Sequence, residues 1–277
     1  MEQYKVDIGG SSMKVIDYPG EKGPIVMVHG LTGTHRNFFH YVNLLKEDYR
    51  ILVIDLRGRG DSDAAVNSTL FKHAEDVMKL LDILKINDPI LMGHSMGAFI
   101  ISIIASKRKD VKAAIYLDGA GAIDESLKEL IKPSVGRISQ KYLNKEDYIA
   151  DMKFMYSVLG IKWDEEVLSS VEYEIELVDD VWVNRANEKN VMDDLESFHL
   201  FNPKIVAEQI ECPVLLVCAT GDIGPYPPLF AIESFEDTKK YTKNIKTITT
   251  PSNHYTLVGI EQPEINEAII AFLNKYV

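Results

Sequence analysis

The chain has 277 residues, a length that suits one large α/β domain or two small ones. Its 46% hydrophobic and 26% charged residues exclude a disordered or fibrous chain. Lys plus Arg number 30 against 42 Asp plus Glu, a net charge of −12 that argues against nucleic acid as a partner. No apolar run approaches the roughly 20 residues of a membrane span. The opening Met1-Glu2-Gln3-Tyr4-Lys5 shows neither the basic nor the apolar region of a secretory signal. Cys212 and Cys218 cannot build a disulfide framework, and a cytoplasmic location is expected.

Short apolar runs alternate with helical patterns along the chain. The runs are Tyr4–Ile8, Met13–Tyr18, Pro24–Val28, Arg50–Asp55, Pro89–Met92, Lys112–Leu117, Pro213–Ala219 and Ile245–Thr250. Several are almost continuously apolar, as strands covered by helices on both sheet faces must be. Between them Phe71–Lys85, Ala98–Lys107 and Ile265–Tyr276 carry helical periodicity. The order predicts a mostly parallel eight-stranded sheet flanked by helices, with the first two runs as an antiparallel edge hairpin.

The stretch 121–200 breaks the rhythm. It offers helical pieces at Asp124–Ile131, Lys145–Leu159 and Glu165–Val178 and no convincing strand. It holds 9 basic and 18 acidic residues, so it carries −9 of the net charge. The expectation is an all-helical acidic cap inserted after strand 6, with residues 1–120 and 201–277 forming the core domain. Met152, Phe154, Met155, Tyr156, Trp163 and Trp182 are its candidate pocket residues.

Gly93-His94-Ser95-Met96-Gly97 follows the run Pro89–Met92 and opens a helical segment. A strand turning sharply into a helix sets its central residue in strained geometry, and flanking glycines let neighbouring chain pass. Ser95 is therefore a candidate nucleophile, with the Met96 N–H aimed at a developing oxyanion. A serine hydroxyl needs a base, and the base needs an orienting carboxylate. His254, in the loop after the last strand, is the best-placed base. His94 is expected to be structural, and His35, His40, His73 and His199 to be solvated. The acid should follow a strand between Ser and His. Asp222 in Ala219-Thr220-Gly221-Asp222 is favoured, with Asp118 in Tyr116-Leu117-Asp118-Gly119 as its rival. Val28-His29-Gly30-Leu31-Thr32-Gly33 supplies the second oxyanion donor, the Leu31 N–H or the neighbouring Thr32 N–H, with His29 bracing the loop.

Taken together, His29-Gly30, Asp55-Leu56-Arg57-Gly58-Arg59-Gly60-Asp61-Ser62, Gly93-His94-Ser95-Met96-Gly97, Gly221-Asp222 and His254 resemble the α/β-hydrolase superfamily over nearly the whole chain. The resemblance is to its capped esterase, lactonase and haloperoxidase-like branch. It implies Ser95 as nucleophile, Asp222 as acid, His254 as base and the Leu31 and Met96 amides as oxyanion hole. It also implies that the segment from Asp55 to Ser62 is structural, and Ser95 disfavours the branches that use Asp as nucleophile. The function expected is hydrolysis of a carboxylic ester, lactone or thioester of a small to medium, neutral, apolar substrate through an acyl-enzyme. The same triad would also serve C–C bond hydrolysis or perhydrolysis, or a signalling protein with slow turnover. No metal or other cofactor is implied. The expected partner is an ester-like small molecule, and a homodimer stays open.

Overall fold

The computed structural model describes residues 1–123, Leu127, Ile131 and 135–277. The eight predicted apolar runs all become strands of one sheet. They are β1 (Glu2–Asp7), β2 (Ser12–Tyr18), β3 (Lys22–Val28), β4 (Tyr49–Ile54), β5 (Ile90–His94), β6 (Ala113–Leu117), β10 (Val214–Ala219) and β11 (Ile245–Thr250). Their spatial order is β1-β2-β4-β3-β5-β6-β10-β11. β2 pairs antiparallel with β1 and β4, while every pairing from β4 to β11 is parallel.

Alternate residues of the central strands feed two cores. Val26, Val28, Leu52 and Ile54 face one side, packed with the helices α2 (Leu70–Ile83) and α3 (Met96–Lys107). Ile25, Met27, Ile51 and Val53 face the other, with α1 (Phe39–Leu45) and the C-terminal helix Pro263–Tyr276. Burial on both faces explains why these strands read as unbroken apolar runs.

Parallel strands all end at one edge. β3 has β4 on one side and β5 on the other, so the loops after β3 and β5 diverge at a topological switch point, where such sheets open a crevice.

Between β6 and β10 the observed elements include α4 (Lys145–Val158), α5 (Glu165–Tyr173) and α6 (Glu188–Ser197). Each starts on a side-chain cap, from Asn144, Asp164 and Asn187 respectively. The expected helix Asp124–Ile131 falls mostly outside the described residues.

The expectation of an all-helical insertion is corrected by a small antiparallel sheet of β7 (Lys141–Tyr142), β8 (Ile175–Val178) and β9 (Val181–Asn184). The predicted helix Glu165–Val178 stops at Tyr173, and β8 pairs with β9 across Asp179-Asp180. Both turn residues have positive φ, 48° and 61°, the conformation of a tight hairpin turn, which Asp tolerates. Among the described residues no helix is long and apolar enough to cross a membrane.

Candidate active site

Ser95 sits between β5 and α3 with φ 53° and ψ −123°, a conformation that L-residues rarely adopt. Its N–H donates to the Leu117 carbonyl of the adjacent strand at 3.0 Å, which fixes the turn against β6. The flanking glycines are required by space. A Cβ on Gly97 would stand 1.9 Å from the Val28 carbonyl oxygen, and one on Gly93 would stand 2.4 Å from the Gly97 carbonyl carbon. The helix therefore packs close against β3 and β5, with the Met96 amide in its first turn.

The loop after β3 is held by His29, which is wholly buried. The His29 Nε2 accepts the Leu56 N–H at 3.0 Å, so its hydrogen sits on Nδ1, which donates to the Gly30 carbonyl at 2.7 Å. Burial lowers its pKa to about 4, so the ring is neutral, as this tautomer requires. A trans peptide directs its N–H opposite to its C=O. Fixing the Gly30 carbonyl thus also fixes the direction of the Leu31 N–H. Arg59 Nε donates to the Leu31 carbonyl at 2.9 Å and orients the next peptide, that of Thr32, in the same way.

His254 follows β11 and is 4% exposed. Its Nδ1 lies 2.7 Å from Asp118 Oδ2, and Asp118 is fully buried. A carboxylate accepts, so Nδ1 carries the hydrogen and Nε2 is the basic nitrogen of the neutral ring. The structure brings Asp118, the rival acid of the sequence reading, to His254 and does not bring the favoured Asp222 there. Asp222 is solvent-exposed, and its backbone carbonyl accepts from Asn253 Nδ2 at 3.3 Å. Asp118 reaches His254 for a geometric reason. It comes directly after β6 with φ 50°, and its Oδ1 accepts the Ala219 N–H of neighbouring β10 at 2.9 Å. Asp222 comes three residues past the end of β10 and turns away.

His94 is structural, as expected. Its Nε2 donates to the His254 carbonyl at 3.0 Å, and the two rings lie 4.6 Å apart. Burial, then the neighbouring His254, lowers its pKa well below the ordinary value, which keeps it neutral. The expectation that His35 and His73 are solvated fails, because both are buried against carboxylates. His35 Nδ1 lies 2.9 Å from Asp55 Oδ1, and His73 Nε2 lies 2.9 Å from Asp194 Oδ2. His199 is exposed and His40 half-buried.

Ser95 and His254 share the wall of one cavity of about 420 Å³ with Gly30, Leu31 and His94. The segment between β6 and β10 forms much of the remaining wall through Met155, Val158, Leu159, Ile161 and Val167. Of the candidate pocket residues, Met155 and Tyr156 line it. Met152 lies in a separate buried cluster with Tyr148, Val171 and Ile175, against which Trp163 and Trp182 pack. Phe154 is 72% exposed.

This segment is fixed to the core through the stretch Asp55–Ser62. Arg59 and Asp194 form a fully buried ion pair at 2.6 Å. Tyr173 donates to Asp55 Oδ2 at 2.5 Å, and the Asn187 N–H donates to the Gly58 carbonyl at 2.8 Å. These cross-contacts are not legible in the sequence, since the partners lie far apart along the chain.

Residues 23–131 match a family model described as alpha/beta hydrolase fold. Human epoxide hydrolase 4 is 30% identical over 281 residues, covering 92% of this chain and 74% of that protein. The 3-oxoadipate enol-lactonase 1 of Acinetobacter baylyi is 35% identical over 89 residues, covering 32% of this chain and 34% of the lactonase. Several matched curated relatives are covered over only a quarter to a half of their length. Among solved structures, E-2-(acetamidomethylene)succinate hydrolase superposes with a TM-score of 0.86 at 21% identity, covering 99% of each chain. With the sheet order and the Ser95 turn, these matches establish that the chain belongs to the α/β-hydrolase superfamily.

Proposed function

We propose that this chain is a serine hydrolase that cleaves a carboxylic ester, lactone or thioester of a small to medium apolar substrate. The observation that carries the reading is the 2.7 Å bond between Asp118 and His254 beside a cavity that Ser95 also lines. In this reading Ser95 Oγ attacks the carbonyl carbon while His254 Nε2 takes its proton. Asp118 holds the tautomer and stabilises the imidazolium. The Leu31 and Met96 amides stabilise the tetrahedral oxyanion, each contributing about 3 kcal/mol. Neither amide donates to another group among the described residues. His254 then returns the proton to the leaving oxygen or sulfur, and water cleaves the acyl-enzyme by the same route.

The residues from 121 to 200 act as a cap that shapes access. Their net charge of −9 disfavours anionic substrates through its long-range field. Serine at the nucleophile position favours the acyl-enzyme route over an alkyl-enzyme one.

Labelling with a fluorophosphonate, followed by peptide mapping, tests the reading without a guess at the substrate. A single adduct on Ser95 that disappears in His254→Ala is expected. An unlabelled folded protein, or an adduct elsewhere, would overturn it.

A further inference from the structure

The end of the cap helix α4 meets the loop that carries His254. α4 closes on Gly160, whose φ of 81° lets the Ile161 N–H turn back to the Tyr156 carbonyl at 2.9 Å. A helix end leaves its last carbonyls without helical donors, and that of Leu159 finds one outside the cap. Asn253 Nδ2 donates to it at 3.0 Å, and also to the Asp222 carbonyl at 3.3 Å in the loop after β10. Asn253 Oδ1 accepts the Tyr255 and Thr256 N–H groups at 3.0 and 2.9 Å. Both donors and both acceptor positions of this half-buried amide are therefore used, which neither Asp nor Ser could reproduce.

This arrangement bears on the base. The Asp118 bond holds Nδ1 of His254 but leaves the ring free to swing about that contact, so the place of Nε2 depends on where the backbone roots the ring. His94 Nε2 holds the His254 carbonyl at 3.0 Å, and the preceding residue is held by its own side chain against the cap. Leu159 and His254 line the same cavity, so the bond joins the cap wall to the base. We propose that Asn253 is a positioning residue: through the Leu159 carbonyl it makes the seat of the cap part of what sets His254 Nε2 against Ser95. The inference rests on the serine-hydrolase reading, in which His254 is the base. A misplacement of about 1 Å at reacting groups can cost about 10²-fold in rate. Binding by the apolar walls does not depend on that alignment, so the loss belongs in kcat.

Two substitutions test this. Asn253→Asp keeps the size and the Oδ1 acceptor but offers the Leu159 and Asp222 carbonyls no hydrogen. Asn253→Ser keeps an uncharged acceptor for the following amides and is too short to reach the cap. On p-nitrophenyl butyrate, kcat should fall about 10- to 100-fold in both, with KM within about threefold of wild type. Gly160→Ala strains the turn that presents the Leu159 carbonyl, and stands alone should the Asn253 variants not fold. It should lower kcat in the wild-type background and add little to Asn253→Ser, because both break one link. Wild-type kcat in the folded variants, a loss confined to KM, or additive effects of Gly160→Ala and Asn253→Ser would overturn the inference. NMR of ¹³C-labelled histidine reads the base without any reaction. Asn253→Ser should shift the His254 signal and leave those of His29, His35 and His73 in place. That shift in a chain that neither hydrolyses esters nor labels at Ser95 would keep the positioning and remove the catalytic reading. An active, labelled wild type with an unmoved His254 signal in Asn253→Ser would do the reverse.

Discussion

Asp118 reaches His254 from β6, two strands away from β11, whose loop carries the histidine, and it does so at 2.7 Å. The intervening β10 contributes the Ala219 N–H that holds the other carboxylate oxygen. One carboxylate thus ties together the ends of three neighbouring strands. The positive φ of Asp118 is explained by this double engagement, since strain persists only where surrounding bonds enforce it.

The buried His29 predicts a pH dependence of stability. Its folded pKa is lowered to about 4 from an unfolded value of 6.5. Between these values the unfolded chain binds a proton that the folded protein does not, so stability falls as pH drops from about 6.5 to 4 and is flat in this group's contribution below that. The loss from His29 is about 3 kcal/mol. Denaturant titrations across this range should show a steeper decline for the wild type than for His29→Asn. Parallel declines would contradict the assignment.

Gly97→Ala tests the close approach of α3 to β3. The added methyl carbon meets the backbone carbonyl of Val28 rather than a movable side chain, so the helix itself must shift. A destabilisation of about 3 kcal/mol or more is expected in equilibrium unfolding. An unchanged midpoint would show that the helix relaxes freely.

The Arg59–Asp194 pair should behave as a buried ion pair, not as surface decoration. Asp194→Ala leaves the Arg59 guanidinium without its carboxylate and removes a partner of His73. The expected cost is about 3 to 5 kcal/mol. Because Arg59 also orients the Leu31 carbonyl, activity on a short ester should fall even where the variant is still folded. Full stability and full activity would contradict the role given to this pair.

The strands were legible because burial on both faces leaves little but apolar residues in each run. Ser95 and the His29 loop were legible because the turn admits few residue types, and Gly97 against the Val28 carbonyl shows why. The acid was not. Asp118 and Asp222 both follow strands and both lie between Ser95 and His254 in the chain, so order cannot separate them. The deciding contacts are the Ala219 N–H and the Asp118 backbone angle, which only the folded sheet supplies. The immediate succession of β6 and Asp118, without the spacer that precedes Asp222, was the available hint. The β8–β9 hairpin is not legible in the sequence because most of its residues are half-buried or exposed. Without a buried face the hairpin carries no clear alternation of apolar and polar residues. His35 and His73 looked solvated because their partners, Asp55 and Asp194, are distant in sequence.

The most direct test of the account compares Asp118→Asn with Asp222→Asn in kcat/KM on a short-chain p-nitrophenyl ester. Asp118→Asn should lose about 10³- to 10⁴-fold, as expected when the orienting carboxylate of a triad is replaced by an amide. Asp222→Asn, at an exposed turn, should stay within about twofold of wild type. A large loss in Asp222→Asn with Asp118→Asn near normal would contradict the triad of Ser95, His254 and Asp118.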